Sequence, residues 1–259
     1  MEISYTYKGK RVVRTGPDTW EQMSAQQYIA TIRAINIIEQ EPEKTWALPV
    51  ILLGIPLREY FGMSMAQRHV LIGYFHHLSE FNDLPKDWML PSIQVGWQKW
   101  HGPNKRLTDL IFAEFMFAES MLERYYSKHD EWELDRFISI LYRPKSWFGK
   151  RHDFNNKLVD ERAKQLTKLD KATKTAILLN YQGWKKHLKK LYKYAFQEAK
   201  QGEKAQKSNW LEQATRLAEH RQSELTTIKN TSFYEVMSNI NLRMKDFEWA
   251  KSQLPQNNK

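Results

Sequence analysis

No cysteine occurs in the 259 residues. Disulfides, thiolate nucleophiles and zinc sites built on Cys are thereby excluded, and the absence fits a reducing compartment. Glycine is scarce, at ten residues. Neither Gly-x-Gly-x-x-Gly nor Gly-Lys-Ser/Thr is present, so the backbone cradle that holds nucleotide phosphates has no candidate. A Gly-x-Ser-x-Gly nucleophile elbow is missing as well. Long apolar runs are also lacking. The most apolar stretch, Trp46–Ile55, is about half the length of a membrane span and holds Pro49 and Gly54, which makes it a buried core element and predicts no span. The opening residues, MEISYTYKGK, alternate without the apolar segment of a signal peptide. These features together predict a cytoplasmic protein.

Aromatic residues, by contrast, are plentiful. Hydrophobic residues make up 41% and aromatics 13%, with ten Trp, too apolar a composition for a disordered chain. Charge is unevenly spread. Residues 1–143 carry 16 Lys+Arg against 18 Asp+Glu, and residues 144–259 carry 24 against 12. The step predicts that the back portion is the part that meets a polyanion or an acidic partner.

Residues 3–14 roughly alternate around Lys8-Gly9-Lys10, the pattern of a short hairpin. Helical periodicity dominates afterwards. Ser24 with Gln27 forms a capping box ahead of Tyr28, Ile29, Ile32, Ile35 and Ile38. Gly54-Ile55-Pro56 breaks the next apolar segment. Ser64 caps a helix running to about Phe81, with Val70, Leu71, Tyr74 and Leu78 on its buried side. Residues 82–107 read as an ordered, Trp-rich loop with a short strand near Ile93–Val95. Thr108 opens a helix that is apolar nearly all round, which places it centrally. Asp130 with Glu133 starts another, and Pro144 stops it. Residues 144–154 form the candidate boundary. Beyond it come helices near 155–168 and 171–200, and further starts at Asn209 and Ser232. The expected fold is mainly α, about seven helices in a bundle-like arrangement with a small N-terminal β-hairpin. Its regions are a helical domain over 1–143 and a basic helical region over 144–259, standing apart or packed on the first as a single domain. The expected core includes Ile32, Ile35, Leu52, Val70, Leu71, Phe112, Phe115, Phe137, Leu141 and Leu178.

Tyr181–Lys207 carries the strongest local feature. Lys185, Lys186, Lys189, Lys190 and Lys193 recur at three- and four-residue steps, opposite Trp184, Leu188, Leu191 and Ala195. Crowded ammonium groups suit phosphates or an acidic surface, and Trp184, Tyr192, Tyr194 and Phe196 are candidates for base stacking. The competing account is a solvated bundle face whose aromatics are core. The lack of Arg argues against base-edge readout. Ser146–His152 places an aromatic pair before three basic groups, a linker pinned to the core by its rings or a partner contact. Glu114, Glu119 and Glu123 lack the Glu-x-x-His pattern of a di-metal helix site, and His76, His77 and Glu80 would need further ligands to hold an ion. No catalytic, cofactor-binding or metal-ligating set emerges.

The segments TWEQMSAQQYIATI, LTDLIFAEFMFAES and DRFISILYRP together resemble small helical proteins encoded in the structural and tail-assembly region of tailed bacteriophages. The resemblance spans roughly residues 17–145. It implies a role in virion or tail morphogenesis, as an assembly chaperone or a virion component, and carries no catalytic residues. The expected function is a non-enzymatic assembly or structural protein that presents helical faces to protein partners, with Trp184 and the Lys185–Lys193 stripe on an acidic surface. The alternative is a nucleic-acid-binding protein using the same stripe, for which five phosphate contacts give a log–log salt slope of about −4.5. A third reading is an enzyme with a dispersed active site around the Trp-rich 88–100 loop.

Overall fold

The computed structural model describes residues 1–79, 83–145, 151–196 and 210–253, with His76, His77 and Ser79 described through their backbone alone. In chain order the elements are β1 (Glu2–Tyr7), β2 (Lys10–Thr15), α1 (Ala25–Ile38), α2 (Ala47–Leu53), α3 (Leu57–Phe61), α4 (Met65–Ser79), β3 (Ser92–Val95), β4 (Gln98–His101), α5 (Phe112–Lys128), α6 (Glu131–Leu141), β5 (Arg143–Pro144), α7 (Val159–Leu166), α8 (Lys171–Leu191), α9 (Trp210–Leu217), α10 (Gln222–Asn230) and α11 (Phe233–Gln253). The fold is mainly α, with a two-stranded N-terminal hairpin and a small three-stranded sheet β3-β4-β5. Two compact units share the chain. One comprises residues 1–91 and 169–184, the other residues 92–168 and 185–259. The charge step at residue 143 does not coincide with this division.

In the first unit, β1 and β2 pair antiparallel, Tyr7 opposite Lys10. Lys8 and Gly9 both take positive φ, 49° and 74°, the conformation a two-residue hairpin turn demands. Ile3 and Tyr5 face inward. The Tyr5 hydroxyl donates to Glu59, which also pairs with Arg14 at 3.2 Å. α1 begins with the expected reciprocal cap: Gln27 N–H donates to Ser24 Oγ at 3.1 Å and Ser24 N–H to Gln27 Oε1 at 3.0 Å. It buries Tyr28, Ile32 and Ile35. The Tyr28 hydroxyl donates to the Ala176 carbonyl at 3.0 Å, and burial pushes its pKa up. Asn180 of α8 organises the loop after α4. It accepts from Met89 N–H at 2.7 Å and donates to the Asp87 carbonyl at 2.8 Å, so that Trp88 is buried. Gly183 makes this approach feasible, because a Cβ there would lie 2.4 Å from the Pro85 carbonyl oxygen.

Two residues expected in the core of α4 are not there. Leu71, Phe75 and Leu78 are buried, but Val70 is 58% exposed and Tyr74 is exposed with it. α4 is apolar around most of its circumference, so periodicity could not single out the face that packs. Leu178, also expected inside, is half-buried on the flank of α8.

The second unit is built around α5 and α6, both deeply buried. Phe115 meets Phe233 at 4.6 Å and Trp210 at 5.0 Å between ring centroids. α6 packs against α5 and α7 and buries Leu134, Phe137, Ile138, Ile140 and Leu141. The helix expected from Thr108 starts later, at Phe112. Residues 104–109 are instead held by side chains: Asn104 N–H donates to Asp109 Oδ1 at 2.9 Å, and Thr108 N–H donates to Asn104 Oδ1 at 2.9 Å. The strand near Ile93–Val95 is present as β3, but the chain turns back at Gly96-Trp97 to form β4, so residues 92–101 of the expected loop are a hairpin. More helices are described than the seven expected. Between α9 and α10 the chain breaks where Glu219 and His220 take positive φ, 51° and 63°, with no glycine to announce the stop.

Candidate binding surface on the basic helix

α8 is capped by Asp170, which accepts from Thr173 N–H at 3.2 Å and Thr173 Oγ1 at 2.6 Å and pairs with Arg33 at 3.1 Å. The helix therefore starts firmly, and its inward stripe runs through Ile177, Tyr181, Trp184 and Leu188. Three- and four-residue steps put Lys186, Lys189, Lys190 and Lys193 on the other side, and all four are exposed. Four of the five lysines of the stripe read from the sequence thus face solvent.

Its predicted membership changes in two places. Trp184 is 1% exposed, with its ring 5.3 Å from Tyr181. It is a core residue and does not reach a partner. Lys185 lies on the flank of the stripe, where its ammonium group pairs with Glu119 of α5. Leu191, expected on the apolar stripe, is exposed because the helix ends there and the chain turns through residues 192–196. That turn is docked on α11. Tyr194 and Ala195 donate their N–H groups to Asn241 Oδ1 at 3.0 and 3.2 Å. The aromatics proposed for stacking are already engaged: Tyr192 lies 6.5 Å from Tyr234, Phe196 lies 5.2 Å from Trp210, and Lys193 stands 4.9 Å over Tyr194.

α11 itself supplies what periodicity did not single out. Its first half buries Phe233, Val236, Met237 and Ile240. From Leu242 to Gln253 not one residue is buried, yet Leu242, Phe247 and Trp249 are exposed large apolar side chains, Trp249 at 68%. Isolated helices of this length are marginal in water. A second exposed ring is Trp97 at the turn of β3 and β4, fully in solvent. Its neighbours in the Trp-rich stretch, Trp88 and Trp100, are packed inside. The sequence signal for α11 was the cluster Leu242, Met244, Phe247 and Trp249 near the C-terminus, which a core helix would show equally.

Ser146–Lys150 of the aromatic linker, Gln197–Asn209 of the basic stretch, and Glu80 lie outside the described residues. On either side of the linker, Lys145 bridges Arg151, and Arg151 donates to the Leu141 carbonyl at 2.8 Å. Among the described residues, no three His, Asp or Glu are grouped to hold a metal ion, and no helix is long and apolar enough to cross a membrane. Burial, then the nearby Lys145 and Lys99, lower the pKa of His101. Compared with protein families, curated proteins and solved structures, the chain has no match.

Proposed function

We propose that this chain is a non-enzymatic interaction protein that presents helical faces to a protein partner, of the virion- or tail-assembly kind implied by the phage resemblance of its front half. The observation that carries the reading is the unburied half of α11, with Leu242, Phe247 and Trp249 in water. Large apolar side chains grouped on one exposed segment are a recurrent mark of a contact surface. The exposed lysines at 186, 189, 190 and 193 add a basic surface in the same unit, suited to an acidic partner.

The test is co-purification with the products of neighbouring genes, comparing the wild type with Phe247→Ser/Trp249→Ser. Both positions are exposed, so each change alters stability by no more than about 0.5 kcal/mol. A partner captured by the wild type and lost by the variant supports the reading. Capture that is indifferent to the substitution, or no capture at all, overturns it.

The exposed lysines also favour a second reading, binding to nucleic acid through phosphates. Lys185 is engaged by Glu119, and each lysine that meets a phosphate adds about −0.9 to the log–log salt slope. Fluorescence anisotropy with single- and double-stranded DNA and RNA, read against a variant with Gln at 186, 189, 190 and 193, decides it. A flat salt response rejects nucleic acid as the partner.

A further inference from the structure

A fully exposed indole caps the three-stranded sheet of the second unit. β3 and β4 close on a two-residue turn, with Val95 opposite Gln98. Gly96 holds the first turn position with φ 57°, the type II′ pattern, which asks for glycine there and not at the second position. Trp97 fills that second position, wholly in solvent. Side chains alternate along each strand. Ile93, Val95 and Trp100 are buried on one face, so Gln94, Lys99 and His101 belong to the other. Gln94 stands directly opposite Lys99. On the far side of β4, Trp100 pairs with Pro144 and His101 with Arg143. One further step along that ladder sets Lys145 beside Lys99, and Lys145 in turn bridges Arg151. Gln94, Lys99, Lys145 and Arg151 thus form one row across the sheet.

The charges of this row are unevenly answered. Arg151 pairs with Asp109 at 3.2 Å and with Glu114 at 3.5 Å. Lys99 and Lys145 are exposed, and among the described residues no carboxylate pairs with either. Like charges directly opposite one another on a sheet destabilise it. His101 on the same face feels both: its pKa is lowered by burial first, then by Lys145 and Lys99. An anion laid across the row offsets this repulsion. Trp97 precedes Lys99 by two residues, about 7 Å of strand. Its surroundings, Gln94, Gln98 and Lys99, are exposed and polar. Protein contacts group their aromatic anchors in packed clusters, whereas Trp97 stands among amides and an ammonium group.

We propose that this sheet face and its turn bind single-stranded nucleic acid, with the Trp97 ring stacked on an unpaired base and Lys99 and Lys145 on neighbouring phosphates. An exposed ring stacks on any base, and ammonium groups serve phosphates as point charges. A duplex keeps its bases stacked on one another, so the surface favours the single strand. It shares no residue with the lysines of α8.

The experiment is fluorescence anisotropy of the full chain with labelled single-stranded DNA, the same strand carrying abasic sites, and duplex DNA, with circular dichroism to check that each variant is folded. Trp97→Ala is expected to weaken single-strand binding about tenfold, and Trp97→Phe to recover part of the loss. On the abasic strand the wild type and Trp97→Ala should bind alike, because the base that the ring meets is gone. A merely structural role for Trp97 would lower affinity for both strands equally. Lys99→Gln and Lys145→Gln should each make the log–log salt slope shallower by about 0.7. The variant with Gln at 186, 189, 190 and 193 should keep the dependence on Trp97. No single-strand binding at low salt overturns the site, and so does a Trp97→Ala loss that is the same on the abasic strand. Binding that the α8 lysines carry and Trp97→Ala leaves unchanged overturns it while the α8 reading stands. If Trp97→Ala abolishes capture of a protein partner and leaves single-strand binding intact, the turn is a protein contact and the site fails equally.

Discussion

At the scale of single residues, Glu114 is the most consequential side chain in the second unit. One oxygen meets Arg143, and the other accepts from Ile111 N–H at 3.2 Å, at the start of α5. Arg151 approaches the same oxygen at 3.5 Å. Breaking a buried pair leaves an uncompensated charge behind, and the expected loss for Glu114→Gln is about 3–5 kcal/mol. Urea unfolding in chloride buffer checks this: the midpoint should fall with an unchanged m-value. A loss below about 1 kcal/mol would show that neither arginine depends on this carboxylate. Glu114 was visible in the sequence as one of three helix carboxylates, but nothing local distinguished it from Glu119 or Glu123. Its partners lie 29 and 37 residues away.

At the scale of elements, α8 rests on its cap. Burial disfavours the ionised Asp170 carboxylate, but the hydrogen bonds from Thr173 and Arg33 outweigh it and bring the pKa below the usual carboxylate range. A depressed folded-state pKa stabilises above the unfolded-state value of about 3.9, and the contribution fades as pH falls through the folded value. Asp170→Ala should therefore cost about 1 kcal/mol near neutral pH, and the gap to the wild type should shrink as pH is lowered past that point. Denaturant titrations at neutral and acid pH measure it, and a gap independent of pH would contradict the cap. The end of α11 presents the opposite case, a helix segment with few internal supports. Hydrogen exchange over residues 242–253 is expected to be fast in the isolated protein and slowed by the partner. Protection already present in the isolated chain would mean that the segment is covered without one. Helix starts were largely legible, since Ser24 and Asp130 act through local side-chain bonds. The α9–α10 break was not, because Glu219 and His220 adopt positive φ without a glycine to signal it.

At the scale of the whole molecule, charge and fold follow different boundaries. The unit of residues 1–91 and 169–184 carries 11 Lys+Arg and 11 Asp+Glu, whereas residues 92–168 and 185–259 carry 29 and 19. All of the net charge of +10 thus belongs to one unit, the one that also holds the exposed lysines and the open end of α11. By itself the sequence determined the helical class, the N-terminal hairpin, the inward stripe of α1, the central place of α5, and the cationic face of α8. Each of these follows from residue spacing and short-range hydrogen bonding, which the chain carries locally. Only the tertiary structure decided what each face meets. It took Trp184 into the core and gave Lys185 to Glu119. It left Val70 and Tyr74 outside, and it turned Arg143 and Arg162 inward. Periodicity states which side chains share a face. Which face is buried, and which charge finds a partner, depends on segments tens of residues away, and that information is written in packing rather than in spacing.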